Sequence, residues 1–245
     1  MSKTLILIPS RLTAKRLPRK PLLKINNLSI ISHVFKKALE SKIGEVYVCT
    51  GDKEIYEDVK INGGNCILTT QNHQTGTDRI YEGLKNINLN VDYILNIQGD
   101  EPMIDIQDIK NLSSIAQKNQ SEIATLACKL NDKKKINNEN VVKVETFDEL
   151  EKKRISKAIK FTRNIQVLDS QKIYQHIGIY HYKVSILKKF IELPQTNNEI
   201  KFKLEQLRAL ENNINIDVIL ANSAPIGVDT KKDYIEIKKL MEYKS

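Results

Sequence analysis

The chain has 245 residues, no tryptophan, three cysteines, and no Asp or Glu before Glu40. The missing tryptophan matters beside the basic stretch Ser10–Leu22, SRLTAKRLPRKPL, because Arg11–Lys20 holds no aromatic residue of any kind. Nucleic-acid grooves interleave their cations with aromatic stacking platforms, and none is present here. Cys49, Cys66 and Cys128 are scattered and odd in number, which excludes a disulfide framework and zinc spacing and suits the buried thiols of a cytoplasmic protein. No run approaches the ~18 consecutive apolar residues of a membrane span. MSKTLILIPSR lacks a small-residue cleavage site and reads as a strand, not a signal peptide. The phosphate-loop pattern G-x-x-x-x-G-K-[ST] is absent, so any phosphates are held mainly by side chains.

What is present is the composition of a soluble globular protein, 40% hydrophobic and 28% charged, with a net charge of +9. The excess charge is spread along the chain, including NDKKKINNEN. It suits a nucleic-acid binder, a binder of polyanionic small molecules, or a solvated Lys- and Asn-rich surface, and charge alone does not choose.

Short apolar runs alternate with helical patterns. Residues 4–9, 45–50, 66–70 and 92–98 read as buried strands. Between them, 28–41 places Ile30, Ile31, Val34, Phe35, Ala38 and Leu39 on one helical face, and 53–62, 76–87 and 106–119 are further helices. This alternation predicts an α/β fold with a mostly parallel sheet and right-handed crossovers. After residue 120 strands dominate, at 121–130, 140–147, 156–162 and 174–182, separated by low-order links at 131–139 and 164–172. Helices return at 182–193 and 200–213, then a strand at 214–221 and a terminal helix. The expectation is one domain over 1–245 with a β-rich lobe at about 125–185.

Open parallel sheets bind ligands beyond the carboxyl ends of their strands. The first strand empties into the basic loop, where Pro18 and Pro21 oppose regular helix, and arginine and lysine are the side chains that take phosphate. The fourth empties into NIQGDEPMI, where Gly99 permits close backbone approach, Gln98 can hydrogen-bond a ligand and Asp100 can hold magnesium against phosphates; a plain turn is the alternative. The last empties into GVDTKKD, where Asp229 either caps the final helix or is a second magnesium ligand. Two carboxylates facing a basic loop form the layout of metal-assisted attack on a nucleotide phosphate.

These segments together resemble the 3-deoxy-D-manno-octulosonate (KDO) cytidylyltransferases. That family's loop R-Y-x-S-x-R-L-P-G-K-P-L is matched by Arg11, Arg16, Leu17, Pro18, Lys20, Pro21 and Leu22. HQTGTDRI (73–80), NIQGDEPMI (96–104), ATLA (124–127), NVVKV (140–144), HIGIYHY (176–182), LEQLRALEN (204–212) and GVDTKKD (227–233) follow in the family's order. The resemblance implies a nucleotide-diphospho-sugar transferase fold with a smaller dimerisation lobe, and a homodimer. It implies Mg²⁺-dependent transfer of CMP from CTP to KDO for lipopolysaccharide synthesis, with no nucleic-acid or membrane partner. In its terms Arg11, Arg16 and Lys20 hold the triphosphate, Thr77 and Gln98 lie near the nucleotide, and Asp100 and Asp229 ligate magnesium. Arg16, Lys20, Asp100 and Asp229 form the catalytic set. Arg79, Arg163, His176, Tyr180, Glu205 and Gln206 bind the sugar acid, with Arg163 and His176 the candidates for its carboxylate. Arg79 is open to the sugar, the base or a core carboxylate, while His33 and His73 are structural.

The chain departs from the pattern at Ala14, where the family has serine, and at Arg19, where it has glycine. Positive φ is strained for arginine, so a somewhat different loop is expected there. Lys15 and Arg19 read as local variation. The usual proline after Arg163 is missing and the 164–172 link looks short. Competing readings are a cytidylyltransferase for 8-amino-KDO or a nonulosonate, a basic nucleic-acid-binding protein, and an inactive scaffold, which Asp100 and Asp229 argue against.

Overall fold

The computed structural model describes residues 3–13, 16–70, 72–87, 89–165 and 172–243. Ala14, Lys15 and most of the 164–172 link lie outside the described residues. The chain divides into two compact units, Met1–Ile109 with Pro225–Ser245, and Lys110–Ala224.

The first unit contains β1 (Thr4–Ser10), a 3₁₀ turn (Lys20–Leu22), β2 (Lys24–Ile25), β3 (Leu28–Ser29), α1 (Ile30–Glu40), β4 (Gly44–Thr50) and α2 (Lys53–Ile61). β5 (Cys66–Leu68), α3 (Gly76–Asn86), β6 (Tyr93–Asn96) and the start of α4 (Ile106–Lys118) follow, and the C-terminal helix Lys231–Glu242 returns to this unit. Its main strands run in the order β5-β4-β1-β6, every pairing parallel. Leu5, Ile6, Leu7 and Ile8 of β1 are all buried, as a strand covered on both faces requires. In α1, Ser29 caps the Ser32 N–H, and Ile30, Ile31, Val34, Phe35 and Ala38 are buried as the spacing predicts. Leu39 is 53% exposed, because one residue past Ala38 the helix has turned about 100° away from the core. Gly99 lies where an added Cβ would come within 3.0 Å of the Pro9 carbonyl oxygen, so the close approach expected of it is real.

The second unit holds β7 (Ile123–Lys129), α5 (Lys133–Ile136), β8 (Lys143–Thr146), α6 (Leu150–Lys153), β9 (Ile155–Thr162), β10 (Ile173–Lys183), α7 (Val184–Glu192), α8 (Asn197–Phe202), α9 (Gln206–Glu211) and β11 (Ile216–Leu220). Its strands run β10-β7-β11-β9-β8, and β8 pairs again with β10, closing a ring. Only β11–β7 is parallel; the rest is antiparallel, as a β-rich lobe built from consecutive strands should be. Two local expectations fail. The link 131–139 contains α5, started by the Asp132 carboxylate accepting from Lys134 N at 2.8 Å. The helix expected over 200–213 is two, α8 and α9, broken at Lys203 with φ 54°. The break turns Leu204 into the core, and the buried Arg208–Glu199 pair, Nε to Oε2 at 2.8 Å, ties the two helices together.

Candidate active site

Three chain segments of the first unit converge on one amine. Lys20, in the 3₁₀ turn after the basic loop, places Nζ 2.6 Å from Asp100 Oδ2 and 3.4 Å from Asp229 Oδ1. Arg16 Nη2 lies 3.2 Å from Asp229 Oδ2. The Val228 amide donates to the Asp100 carbonyl at 2.9 Å, so the two carboxylate-bearing segments are joined by backbone as well. Beneath them Val228 is buried with Ile25, Ile30 and Ile237, and Leu17 and Met103 pack on that cluster.

The cap alternative for Asp229 is resolved by hydrogen bonds. Thr230 is the N-cap of the C-terminal helix and accepts from Asp233 N at 3.2 Å. Asp233 accepts in return from Thr230 N at 2.7 Å and Asp229 N at 3.1 Å. That capping box satisfies the helix end without the Asp229 side chain, which is left to face Lys20 and Arg16.

Glu101 was not singled out by the sequence. Its Oε2 is enclosed and has no hydrogen-bond partner among the described residues. Burial pushes its carboxyl up to about 8, the nearby Asp100 and Asp229 charges add to the rise, and Lys20 opposes it. Ser10 Oγ and Asn96 Oδ1, at the ends of β1 and β6, are likewise buried without a partner among the described residues. Buried polar atoms without a protein partner, gathered at strand ends, mark an edge suited to a polar ligand.

The other nucleotide-side residues differ in availability. Arg11 is exposed after β1 and makes no ion pair among the described residues. Gln98 is half-buried beyond β6, and Thr77 is buried in the first turn of α3. Arg79, expected at the sugar, is buried and donates Nη1 to Thr69 Oγ1 at 2.7 Å and to the Thr70 carbonyl at 3.1 Å. Burial lowers its pKa, and the charge of Arg11 lowers it further. It holds the end of β5 in place. His73, expected to be structural, bonds Glu82 Oε2 through Nε2 at 2.6 Å, and Thr70 donates to the same carboxylate.

The remaining sugar candidates lie in the second unit. β10 carries a bulge between Ile177 and Tyr180 opposite β7. The carbonyls this frees at Ile177 and Ile179 lie 3.0 and 2.8 Å from Thr125 Oγ1, which also lies 3.0 Å from His176 Nε2. A hydroxyl has one proton, and two carbonyls compete for it, so His176 donates through Nε2 and keeps Nδ1 as an acceptor. Burial pushes the His176 imidazole down to about 3, so it is neutral. Its ring meets Phe161 edge-on at 5.1 Å and tilts against Tyr180 at 5.6 Å. Burial raises the Tyr180 phenol well above its usual value, with Tyr182 and Glu205 adding to the rise. Glu205 precedes α9 and Gln206 is buried in its first turn. Arg163 donates Nη1 to the Glu139 and Asn140 carbonyls at 3.2 and 3.3 Å and Nε to the Phe202 carbonyl at 3.4 Å. The fully buried Lys143 grips the Arg163 carbonyl at 2.9 Å and that of Asn138 at 2.6 Å. Thr125, Lys143 and Glu101 were missed. Applying the strand-end test to the residue after Asp100 would have found Glu101, whereas the other two emerge only from strand pairing.

Residues 5–216 match a family model described as cytidylyltransferase. The 3-deoxy-manno-octulosonate cytidylyltransferase of Rhodopseudomonas palustris (strain BisB5) is 39% identical over 232 residues, 94% of each chain. That of Brucella ovis is 39% identical over 233 residues, 94% of this chain and 92% of its own. A solved CMP:2-keto-3-deoxy-manno-octonic acid synthetase complexed with CTP superposes with a TM-score of 0.90 at 31% identity, covering 100% of both chains. A UDP-glucose pyrophosphorylase complexed with UDP-glucose, 18% identical with a TM-score of 0.74 over 100% of both chains, shares the fold.

Proposed function

The chain belongs to the 3-deoxy-manno-octulosonate cytidylyltransferases, and from that premise we propose which of its side chains carry out the reaction. The protein transfers CMP from CTP to KDO. The sugar hydroxyl attacks the α-phosphorus in line and pyrophosphate leaves, so negative charge builds on the phosphate oxygens. Arg11, Arg16 and Lys20 neutralise that charge, Arg11 being the exposed cation and Lys20 the one anchored between Asp100 and Asp229. Product use in lipopolysaccharide synthesis is part of the same reading.

The residues present fit a magnesium ion. Lys20 Nζ touches both Asp100 and Asp229, so one cation reaches both carboxylates at once. Among the described residues no cluster of three or more His, Cys, Asp or Glu side chains could hold a metal. Two carboxylates are what magnesium ordinarily takes from protein when substrate phosphates complete its shell. Bound there, magnesium would supply positive charge to the reacting phosphates. Asp100 and Asp229 would orient it, and Lys20 would turn from the carboxylates to the triphosphate.

On the sugar side, the neutral His176 serves as a hydrogen-bonding group and leaves the cationic role toward the ulosonate carboxylate to Arg163. The second nitrogen of the Arg163 fork, Nη2, makes no hydrogen bond among the described residues and is available for it. Tyr180, Glu205 and Gln206 complete that pocket in the proposal. A homodimer is included, supported by Phe147 and Ile159, which are 67% and 52% exposed on the β-rich lobe. Among the described residues no helix is long and apolar enough to cross a membrane. The three free buried thiols support a cytoplasmic setting.

The single observation that carries the assignment is the Asp229 carboxylate, released from capping and brought with Asp100 onto Lys20. The test is pyrophosphate release with Mg²⁺, each NTP and KDO. Release is expected only with CTP and KDO together, and is lost on chelation. Asp229→Asn is expected to lower turnover at least 100-fold with an unchanged circular dichroism spectrum. Full activity in that variant would remove Asp229 from the metal site.

A further inference from the structure

The basic loop is closed at its neck by one backbone hydrogen bond, Arg19 N to the Leu12 carbonyl at 3.3 Å. Both residues of that neck are held by the N-terminus of α2. Asp52 occupies the N-cap position of α2 yet makes no capping bond; its Oδ2 instead accepts from Leu12 N at 2.9 Å. Glu54, in the first turn of the same helix, pairs with the Arg19 guanidinium, Nη1 to Oε1 at 3.2 Å, with Nη2 on Oε2 completing the fork. Arg19 has φ 58° and ψ 21°, a left-handed conformation that glycine takes freely and arginine does not. At Arg19 the loop thus takes a conformation open to the glycine that the family resemblance places there. That backbone also sets the next residue, because Arg19 caps the 3₁₀ turn whose first residue is Lys20.

We propose that Asp52 and Glu54 form a two-point clamp, in which Glu54, through Arg19, positions Lys20 and the loop for the triphosphate. Arg19 is then not a phosphate ligand and not idle variation. Its side chain holds by an ion pair a conformation that glycine would hold by its own freedom. Glu54 is a positioning residue, since it acts through Arg19. The proposal rests on the reading of CTP as substrate.

The test compares Glu54→Gln in two backgrounds, the natural chain and Arg19→Gly. In the natural chain Glu54→Gln is expected to raise KM for CTP about threefold, the scale an exposed ion pair supports, with kcat within twofold. In the Arg19→Gly background the same substitution is expected to change nothing, while Arg19→Gly alone stays close to the natural protein and Arg19→Ala is the most impaired. Hydrogen exchange without nucleotide reads the clamp directly, with faster exchange of the Leu12 and Arg19 amides expected in Glu54→Gln. Equal effects in both backgrounds, or no effect on KM and exchange, would overturn the clamp while leaving the cytidylyltransferase reading intact. Faster exchange in a protein that never uses CTP would instead sink the substrate reading and the loop's role toward the triphosphate, and leave only the tether.

Discussion

At the scale of single residues, the chemistry depends on which partner each charged or polar group has. Asp229 is a ligand candidate only because Thr230 and Asp233 satisfy the helix end between them. His176 is neutral because burial pushes its imidazole down to about 3, and His181, pushed down to about 4 by burial, behaves alike. Both histidines titrate near 6.5 in the unfolded chain. Above that pH neither state binds the proton; from there down to the folded values of about 3 and about 4 only the unfolded chain does. Stability is therefore expected to fall as the pH drops from 7 to 5, by roughly 1–2 kcal/mol for each histidine. Thermal melts across that range check this, and His176→Gln should flatten the slope. A melting temperature independent of pH, or a slope unchanged by the substitution, would contradict the buried neutral imidazole.

At the scale of elements, the bulge in β10 is the feature that places His176 and Tyr180, the proposed sugar-side residues. It shifts the register so that Tyr180, rather than Ile179 or Gly178, faces Thr125, and it strands two carbonyls that Thr125 Oγ1 then serves. Thr125→Val keeps the shape of the side chain and deletes the hydroxyl, leaving those carbonyls and the His176 N–H to compete for nothing. A loss of about 1–3 kcal/mol in stability is expected from such unpaired buried groups, read by chemical denaturation. If His176 contacts the sugar acid, KM for KDO should rise in the same variant while KM for CTP stays put. The split α8–α9 pair makes a related point. The left-handed Lys203 ends one helix so that the next can present Gln206 to the interior.

For the whole molecule, the net charge of +9 already counts every acidic residue, and what the fold adds is where the cations of the basic loop are held. Three cations of the basic loop meet acidic partners far along the chain, Arg16 with Asp229, Arg19 with Glu54, and Lys20 with Asp100. A loop whose cations are individually placed suits one polyanionic ligand better than a long nucleic-acid backbone. The proposed homodimer would cover Phe147 and Ile159, which are exposed on the β-rich lobe. Light scattering is expected to give twice the chain mass, and Phe147→Lys to halve it. A single-chain mass for the natural protein would remove the homodimer.

The order of strands and helices, the basic loop and the acidic strand ends were legible because each is local: apolar runs, helical spacing and loop composition are properties of neighbouring residues. Family motifs spread over the whole chain carried the reaction for the same reason, as patterns that survive without coordinates. Sequence could not decide between cap and ligand for Asp229, because Asp229 and Thr230 are both cap-forming residues and the hydrogen bonds of the folded helix end, Thr230 with Asp233, show which of them takes the cap. It read Arg19 as incidental because its partner Glu54 is 35 residues away. It left Arg79 open to the sugar, the base or a core carboxylate, and in the folded chain its guanidinium donates to Thr69 and Thr70. Local periodicity wrote the fold; the competition of each charged or hydrogen-bonding group for partners distant in the chain, settled only when the chain is folded, decided the site.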